Sequence, residues 1–345
     1  MITFFSPEHE RHAPEIEYFR GRPVPCFEAP ARARIVRDAL LARGHELRAP
    51  DRDATPFLRR LHAPRYLAFL EGAWASWLAR DPANAGVQPF PSVWPVRTLR
   101  SDVEPEDFVA RLGLYSMDNG TPLAEGTWAA AKAAADAAAS AAALLSGGAR
   151  GAFCATRPPG HHAGADVMGG YCFLNNAAVA AEALLEGGAA RVAVLDVDYH
   201  HGNGTQSLFY ARADVLFVSL HGDPRTEYPF YLGHADETGV GEGEGFNLNL
   251  PLPAGTTAEA WFEALDAGCA RVARHAPEAV VVSLGLDTFA GDPISRFALA
   301  SEDFLRLGAR IARLGLPAAF LLEGGYATDA LGVNAANVLE GFEGC

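Results

Sequence analysis

Five short apolar segments alternate with helical patterns in the second half of the chain, and this alternation constrains the fold more than any other feature. Each apolar segment ends in polar residues or glycine, and together they span residues 150–156, 191–198, 215–221, 279–285 and 318–324. Segments with helical periodicity lie between them, at residues 176–186, 257–275 and 301–314. Such alternation predicts an α/β fold, with a parallel sheet covered by helices on both faces. Ligands of such sheets bind beyond the carboxyl ends of the strands.

The composition restricts the partners and the compartment that suit this chain. Its formal net charge of -14 argues against nucleic-acid binding and would attract small cations, although charge also simply keeps a protein soluble. Five cysteines without paired spacing suit a reducing compartment. The opening MITFFSPEHE does not resemble a signal peptide, and the alanine-rich segment 128–145 contains Lys132 and Asp136, which favours a soluble helix. We therefore predict a cytoplasmic protein that binds neither nucleic acid nor membranes.

One proline- and aromatic-rich segment differs from the rest of the chain. The 345 residues are enough for one large domain or two small ones. Residues 80–123 show weak periodicity and include the sequence QPFPSVWPVRT. Because loops of this length are uncommon, the segment is predicted to be an insertion that forms a lid or a subunit contact. An ordinary surface loop is the alternative.

Carboxylate and imidazole side chains are concentrated directly after the strand predicted at residues 191–198. Asp196, Asp198 and His200 are two positions apart, so they project in one direction from the strand end. Buried carboxylates need a partner, and a borderline cation such as zinc accepts both oxygen and nitrogen ligands. Asp287, after the apolar segment 279–285, would be a third ligand and leave positions for water and substrate. The alternative is a hydrogen-bonded loop cluster without a metal.

Two adjacent histidines follow another predicted strand, in the sequence RPPGHHA. Beside a hydrolytic metal, His161 and His162 suit a general base and an electrostatic partner, because imidazole titrates near neutral pH. Asp196 would orient one of the two rings and Asn203 the other. Adjacent histidines also occur as simple polar patches, so this interpretation depends on the metal site.

Three tyrosines have positions that suit a substrate site. Tyr326 in LLEGGYA follows a predicted strand, where its hydroxyl would donate a hydrogen bond to a developing oxyanion. Tyr171 in GGYCFLNN and Tyr228 in HGDPRTEYPF would form the walls of a narrow channel. Taken singly, each tyrosine is better explained by packing, so the functional interpretation rests on the combination.

Together these motifs resemble those of the zinc-dependent histone deacetylase superfamily. The segments, in order, are RPPGHHA, GGYCFLNNAAVAA, VLDVDYHHGNGTQ, SLHGDP, SLGLDTF and LLEGGY. The resemblance covers nearly the whole chain and is strongest to the bacterial acetylpolyamine amidohydrolases. It implies one domain, residues 1–345, with the three-layer arginase-deacetylase fold, a mostly parallel central sheet and one catalytic zinc, for which ferrous iron is the alternative in the cell.

The resemblance also implies a role for each motif residue. The implied metal ligands are Asp198, His200 and Asp287. His162 would be the general base and then the general acid, with Asn203 beside it. His161 would be an electrostatic helper paired with Asp196, and Tyr326 would polarise the acetyl carbonyl together with zinc.

Further features are implied for the channel and its surroundings. Tyr171 and Tyr228 would be the aromatic walls, and the backbone of Gly170 would lie near the substrate amide. The family also binds potassium, and by analogy the potassium site would consist of the backbones of Asp196, Asp198 and His200, with Ser219. Relatives are dimers whose insertion narrows the channel mouth, so we expect a homodimer in which residues 80–123 have this role.

Two positions depart from the pattern of the family. Asn203 stands where many members carry aspartate, and the smaller negative charge should make His162 less basic. Gly120 in YSMDNGTPL stands where polyamine-specific members would carry a glutamate, although Asp118 is nearby. Deacetylation is therefore implied more firmly than a preference for polyamines.

The predicted function is removal of acetyl groups from small cationic N-acetylated alkylamines, which gives acetate and the free amine. The favoured substrates are acetylpolyamines such as acetylputrescine, acetylcadaverine and acetylspermidine. The first alternative is deacetylation of acetyl-lysine in proteins or peptides, and the second is a non-catalytic module that binds acyl-amines. An arginase-like ureohydrolase is disfavoured, because it needs two manganese ions and the sequence after Asp287 lacks the second aspartate of a D-x-D pair.

Overall fold

Strands and helices alternate through most of the chain in the computed structural model, which describes residues 1–96, 98 and 100–345. The strands in chain order are β1 (Ile2–Phe4), β2 (Ile16–Phe19), β3 (Arg22–Pro25), β4 (Glu46–Arg48), β5 (Gly151–Cys154), β6 (Val192–Asp196), β7 (Val215–Gly222), β8 (Asn247–Leu252), β9 (Ala279–Leu284) and β10 (Ala318–Leu322). The helices in chain order are α1 (Ala31–Ala42), α2 (Thr55–Leu61), α3 (Pro64–Arg80), α4 (Phe108–Leu114), α5 (Thr127–Ser146), α6 (Asn176–Glu186), α7 (Asn203–Phe209), α8 (Ala258–His275), α9 (Ser301–Ala312) and α10 (Thr328–Glu343). Short 3-10 helices occur at Pro7–Arg11, Pro82–Gly86 and Gly241–Gly243.

The central sheet has eight strands in the order β4-β1-β5-β10-β9-β6-β7-β8. Every neighbouring pair in it is parallel. Strands β2 and β3 form a separate antiparallel hairpin. Because these strands all run in the same direction, the carboxyl ends of β5, β10, β9 and β6 lie side by side at one edge of the sheet. The prediction of a mostly parallel sheet is confirmed.

Helices cover both faces of this sheet. Successive strand residues point to opposite sides, and in the buried strands both sets are apolar, so each face must be covered. In β6, Val192 and Val194 belong to one apolar cluster with residues of α2, α5 and α6. Ala193 and Leu195 belong to a second cluster with residues of α1, α8, α9 and α10. Every residue of β6, β7, β9 and β10 is buried, which explains their continuous apolar sequences. The three-layer architecture predicted from the sequence is confirmed.

Helix α5 contains the alanine-rich segment. Most of its alanines are buried, since α5 packs against α6 and against the sheet, where small side chains permit close approach. Lys132 and Asp136 form an ion pair one turn apart, and Gly147 caps the end of the helix. Among the described residues, no helix has both the length and the apolar character that spanning a bilayer would require.

Three strands of the sheet were not predicted from the sequence. Strands β1 and β4 are three residues long, too short for a periodic pattern to be visible. Strand β8 lies at the edge of the sheet, and its polar residues Asn247 and Asn249 interrupt the apolar pattern that buried strands show.

The proline-rich segment 80–123 is mostly irregular. Within its described residues it contains the 3-10 helix Pro82–Gly86 and helix α4. Its valines at positions 87, 93, 96 and 103 are all more than half exposed. Positions 97 and 99 lie outside the described residues. The description of this segment as an insertion in a single domain stays a prediction.

Candidate active site

The polar motifs of the sequence converge at the carboxyl edge of four adjacent strands. The loop after β5 contains the tandem histidines, and the loop after β6 contains the D-x-D-x-H-H segment. Asp287 follows β9, and Tyr326 follows β10. Neighbouring parallel strands therefore bring together residues that are up to 165 positions apart (His161 to Tyr326).

Asp198, His200 and Asp287 form a compact trio. One ligand atom from each lies within 4.8 Å of those of the other two. The Nδ1 atom of His200 is 3.3 Å from Asp198 Oδ1 and 3.1 Å from Asp287 Oδ2. Backbone amides hold the carboxylates in place, since Gly324 N donates to Asp198 Oδ2 at 2.8 Å and Tyr199 N donates to Asp287 Oδ1 at 2.9 Å. The trio is thus oriented by the strand ends themselves.

The electrostatics of the trio suit a bound cation. Burial and the neighbouring charge of Asp198 raise the pKa of Asp287 to about 7. Burial alone would lower the pKa of His200, but hydrogen bonds with Asp198 and Asp287 raise it to about 9. Two buried carboxylates that face one imidazole nitrogen repel each other unless a positive charge lies between them. The set of two carboxylates and one imidazole fits a divalent ion of the zinc or ferrous class.

The two tandem histidines have different partners. His161 Nδ1 lies 3.0 Å from Asp196 Oδ2, whereas His162 Nδ1 lies 2.7 Å from the amide oxygen of Asn203. Burial opposes protonation of His161, but the charges of Asp196 and Asp198 raise its pKa to about 10. Burial, and the nearby imidazoles of His161 and His200, lower the pKa of His162 well below its usual value. The surroundings therefore favour protonation of His161 and disfavour protonation of the adjacent His162.

Tyr326 and the two tandem histidines line one cavity. Its backbone N–H donates to Asp292 Oδ2 at 2.7 Å, and its ring lies under the Arg32 guanidinium at 4.7 Å. Arg32 in turn donates to the carbonyl oxygens of Gly325 (2.7 Å) and Glu323 (2.6 Å), which fixes the turn after β10. Burial raises the pKa of Tyr326 well above its usual value, so the hydroxyl stays protonated and can donate.

This cavity has a volume of about 240 Å³ and leads to the trio. Tyr171 and Tyr228 both line it, and each hydroxyl is hydrogen-bonded to a carboxylate. Tyr171 donates to Glu17 Oε1 at 2.8 Å, and Tyr228 donates to Asp118 Oδ2 at 2.6 Å. The remaining lining residues include Tyr18, Phe19, Arg20, Asn119, Gly120, Pro159, Glu227, Phe230 and Ile294.

Gly170 lies at the point where the channel meets His162. Its φ of +53° is a left-handed conformation, and an added Cβ would lie 2.1 Å from the His162 ring. Both observations require glycine at this position. The structure thus places the Gly170 backbone beside the histidine that the sequence analysis assigned as the base.

Two residues of the expected potassium site, Asp198 and His200, belong to the trio, and the other two, Asp196 and Ser219, are neighbours on adjacent strands. Ser219 pairs with Asp196 in the register of β6 and β7, and its Oγ atom is 2.7 Å from His221 Nδ1. Asp196 Oδ1 accepts from the backbone N–H of Asp198 at 3.1 Å. A bound potassium ion at this position stays a prediction.

Several residues that support the site were not predicted from the sequence. Glu323 is buried, and its Oε2 atom accepts from the backbone N–H groups of Gly160 (2.6 Å) and His161 (3.2 Å). Burial raises the pKa of Glu323 to about 7. Its signal in the sequence was a carboxylate at the end of a buried strand, in LLEGGY. Glu17, Arg32 and Asp292 carried no such signal, because their contacts come from distant parts of the chain.

A family model, curated proteins and a solved structure all relate this chain to the same family. The histone deacetylase domain matches residues 26–342. The chain is 51% identical over 345 residues to acetylpolyamine amidohydrolase 2 of Pseudomonas aeruginosa, covering 100% of this chain and 99% of that protein. It is 44% identical over 345 residues to the acetylpolyamine amidohydrolase of Mycoplana ramosa, covering 100% of both chains. The crystal structure of acetylpolyamine aminohydrolase from Burkholderia pseudomallei superposes with a TM-score of 0.94 at 42% identity, covering 99% of this chain and 98% of that one. On this evidence the chain belongs to the histone deacetylase family.

Proposed function

We propose that the protein is a metal-dependent deacetylase that hydrolyses the acetyl amide of acetylated polyamines and releases acetate and the free amine. The observation that carries this proposal is the convergence of the trio, the tandem histidines and Tyr326 at the inner end of one channel. The full-length similarity to proteins named acetylpolyamine amidohydrolases supports the substrate class.

Asp198, His200 and Asp287 would hold one divalent ion, zinc or ferrous iron. When bound there, such an ion polarises the acetyl carbonyl and lowers the pKa of an attacking water. Potassium would be held by the backbones of Asp196, Asp198 and His200 together with Ser219. The crowding of two buried carboxylates around one imidazole supports the divalent site, and the proximity of Ser219 to Asp196 supports the second site.

The protein's own residues perform the proton transfers. Neutral His162 donates Nδ1–H to Asn203, which leaves Nε2 free to take the proton of the attacking water. The water oxygen forms a bond to the acetyl carbon, and the Tyr326 hydroxyl donates to the carbonyl oxygen as negative charge develops on it. His162 then delivers its proton to the amide nitrogen, and the carbon–nitrogen bond breaks. Cationic His161 adds positive charge beside the developing oxyanion.

The shape and charge of the channel favour a slender cationic substrate. Its aromatic walls suit an unbranched alkyl chain, and three carboxyl groups line it (Glu17, Asp118 and Glu227) against one guanidinium, that of Arg20. The net charge of -14 adds a long-range attraction for an amine that carries a free ammonium group.

We also infer a homodimer and a cytoplasmic location. The four exposed valines of the insertion support a subunit contact, because burying them against a partner would remove apolar surface from water. All five cysteines are free thiols, which suits a reducing compartment.

The proposal is tested by measuring kcat/KM for acetylputrescine, acetylcadaverine, acetylspermidine and an acetyl-lysine peptide on one metal-defined preparation. The expected result is fastest cleavage of the acetylated polyamines, loss of activity after chelation, and recovery with zinc or ferrous iron. Preference for the peptide would favour a protein deacetylase. Metal binding without release of acetate from any substrate would favour a non-catalytic module.

A further inference from the structure

Residues 117–121, at the end of the insertion, are hydrogen-bonded to the turn at residues 168–172, which contains the channel residue Tyr171. Met117 N donates to Met168 O at 2.9 Å, and Tyr171 N donates to Thr121 Oγ1 at 2.9 Å. The two segments are so close that a Cβ atom at Gly169 would lie 2.3 Å from Met117 Cγ. The position of this turn therefore depends on the insertion.

Asp118 extends this connection to the opposite wall. Its Oδ2 atom accepts from Gly170 N at 2.7 Å and from the Tyr228 hydroxyl at 2.6 Å. Its Oδ1 atom accepts from Gly120 N at 3.0 Å. Since Gly170 directly precedes Tyr171, one carboxylate joins the backbone of one wall to the side chain of the other.

We propose that Asp118 is a positioning residue that holds the Tyr228 ring against the Gly170 turn and thereby sets the channel width for unbranched amines. The inference deepens the proposed deacetylase function and rests on it. Asp118 acts through its contacts, because three donors already occupy its two oxygens and little acceptor capacity remains for a substrate ammonium group.

The position of the Tyr228 ring matters for both selectivity and turnover. The ring stands perpendicular to that of His162, with a centroid distance of 5.0 Å and an interplanar angle of 88°. Burial and the Asp118 carboxylate raise the pKa of Tyr228 well above its usual value, so the hydroxyl stays protonated and keeps donating. Without this hydrogen bond the ring could turn away from His162 and open the channel to bulkier substrates.

The test compares Asp118→Asn with Tyr228→Phe. Tyr228→Phe keeps the aromatic ring and removes only the donor, whereas Asp118→Asn removes the charge and weakens the acceptor. We expect each variant to lower kcat/KM for acetylputrescine roughly tenfold, as loss of a charge-assisted hydrogen bond predicts. We also expect the ratio of peptide to amine cleavage to rise in both. The double variant should lose little beyond either single variant, because both act on one contact.

Asp102→Asn is the matched control, since it removes an exposed carboxylate from the same insertion, where Asp102 pairs with Arg100. It should retain wild-type kinetics. A defect in Asp118→Asn with wild-type kinetics in Tyr228→Phe would overturn the proposal, because Asp118 would then act independently of the Tyr228 hydroxyl. An unchanged substrate ratio in both variants would overturn it as well. If Asp118→Asn does not fold, Tyr228→Phe alone decides the outcome. A wild-type protein that cleaves no acetylated amine would instead overturn the proposed function itself.

Discussion

At the scale of single residues, the site shifts the pKa values of two adjacent imidazoles in opposite directions. The difference comes from their partners, since His161 faces the carboxylate of Asp196 and His162 faces the amide of Asn203. A base must be unprotonated before it can act, and only His162 meets this condition near neutral pH. A neutral amide at position 203, rather than a carboxylate, thus suits the proposed base.

Tyr326→Phe tests the proposed oxyanion donor. The hydroxyl would donate only as negative charge develops, so its loss should lower kcat by about 10²–10³ and change KM little. Steady-state kinetics with acetylputrescine measure both constants, and metal analysis shows whether the trio stays loaded. Tyr210→Phe, at a tyrosine outside the cavity, is the control and should match the wild type. Wild-type turnover in Tyr326→Phe would contradict the assigned role.

At the scale of structural elements, the turn at residues 168–172 connects the insertion, the channel and the base. Gly169 N donates to Cys172 O at 3.2 Å, and Cys172 N donates to Gly169 O at 2.8 Å, which closes the turn. Gly170 and Tyr171 both have positive φ, of 53° and 66°. Such backbone conformations persist only where surrounding contacts impose them, and they are typical of functional sites.

Gly170→Ala tests whether this close approach is required. The added Cβ would lie 2.1 Å from the His162 ring, so the ring or the turn must move, and we expect kcat/KM to fall at least about 100-fold. Gly188→Ala is the control, because Gly188 also has a positive φ but has open space around it. The control should lose about 1–3 kcal/mol of stability and no activity. Equal activity of the two variants would show that the contact with His162 is unimportant.

The elements that sequence could predict are those whose pattern is local. Helix α6 begins and ends where periodicity placed it, at residues 176–186, and the proximity of Asp198, His200 and Asp287 was predictable because parallel strands align their carboxyl ends. The three-residue strands β1 and β4 carry too few side chains for a pattern. Glu17 and Arg32 support Tyr171 and Tyr326 from more than 150 residues away, and nothing in their own segments indicates that contact.

At the scale of the whole molecule, the order of strands explains why this site exists. Strands β5, β10, β9 and β6 are neighbours in the sheet but come from distant parts of the chain. Each contributes one motif, so the site forms only when the whole sheet has formed. Stability of the fold and integrity of the site should therefore be lost together.

The stability of the whole molecule should decrease at acid pH, in part because it buries neutral histidines. His62 is one of these, with Nδ1 2.8 Å from Gly164 O and Nε2 accepting from Asn175 N at 3.2 Å. Burial lowers the pKa of His62 to about 4, against about 6.5 for the unfolded chain. Between these values His62 binds more protons in the unfolded state, so its contribution to the free energy of unfolding falls as pH falls from about 6.5 and levels off near pH 4.

His62→Gln isolates this contribution, because an amide can replace both hydrogen bonds but does not titrate. The variant should lose about 2 kcal/mol less stability than the wild type between pH 7 and pH 5. Urea unfolding at several pH values measures the difference, and any metal release at low pH affects both proteins alike. Between pH 7.5 and 8.5 the difference in free energy of unfolding between the two proteins should be constant, which is the internal control. If this difference in free energy of unfolding also stays constant down to pH 5, folding does not keep the His62 imidazole neutral.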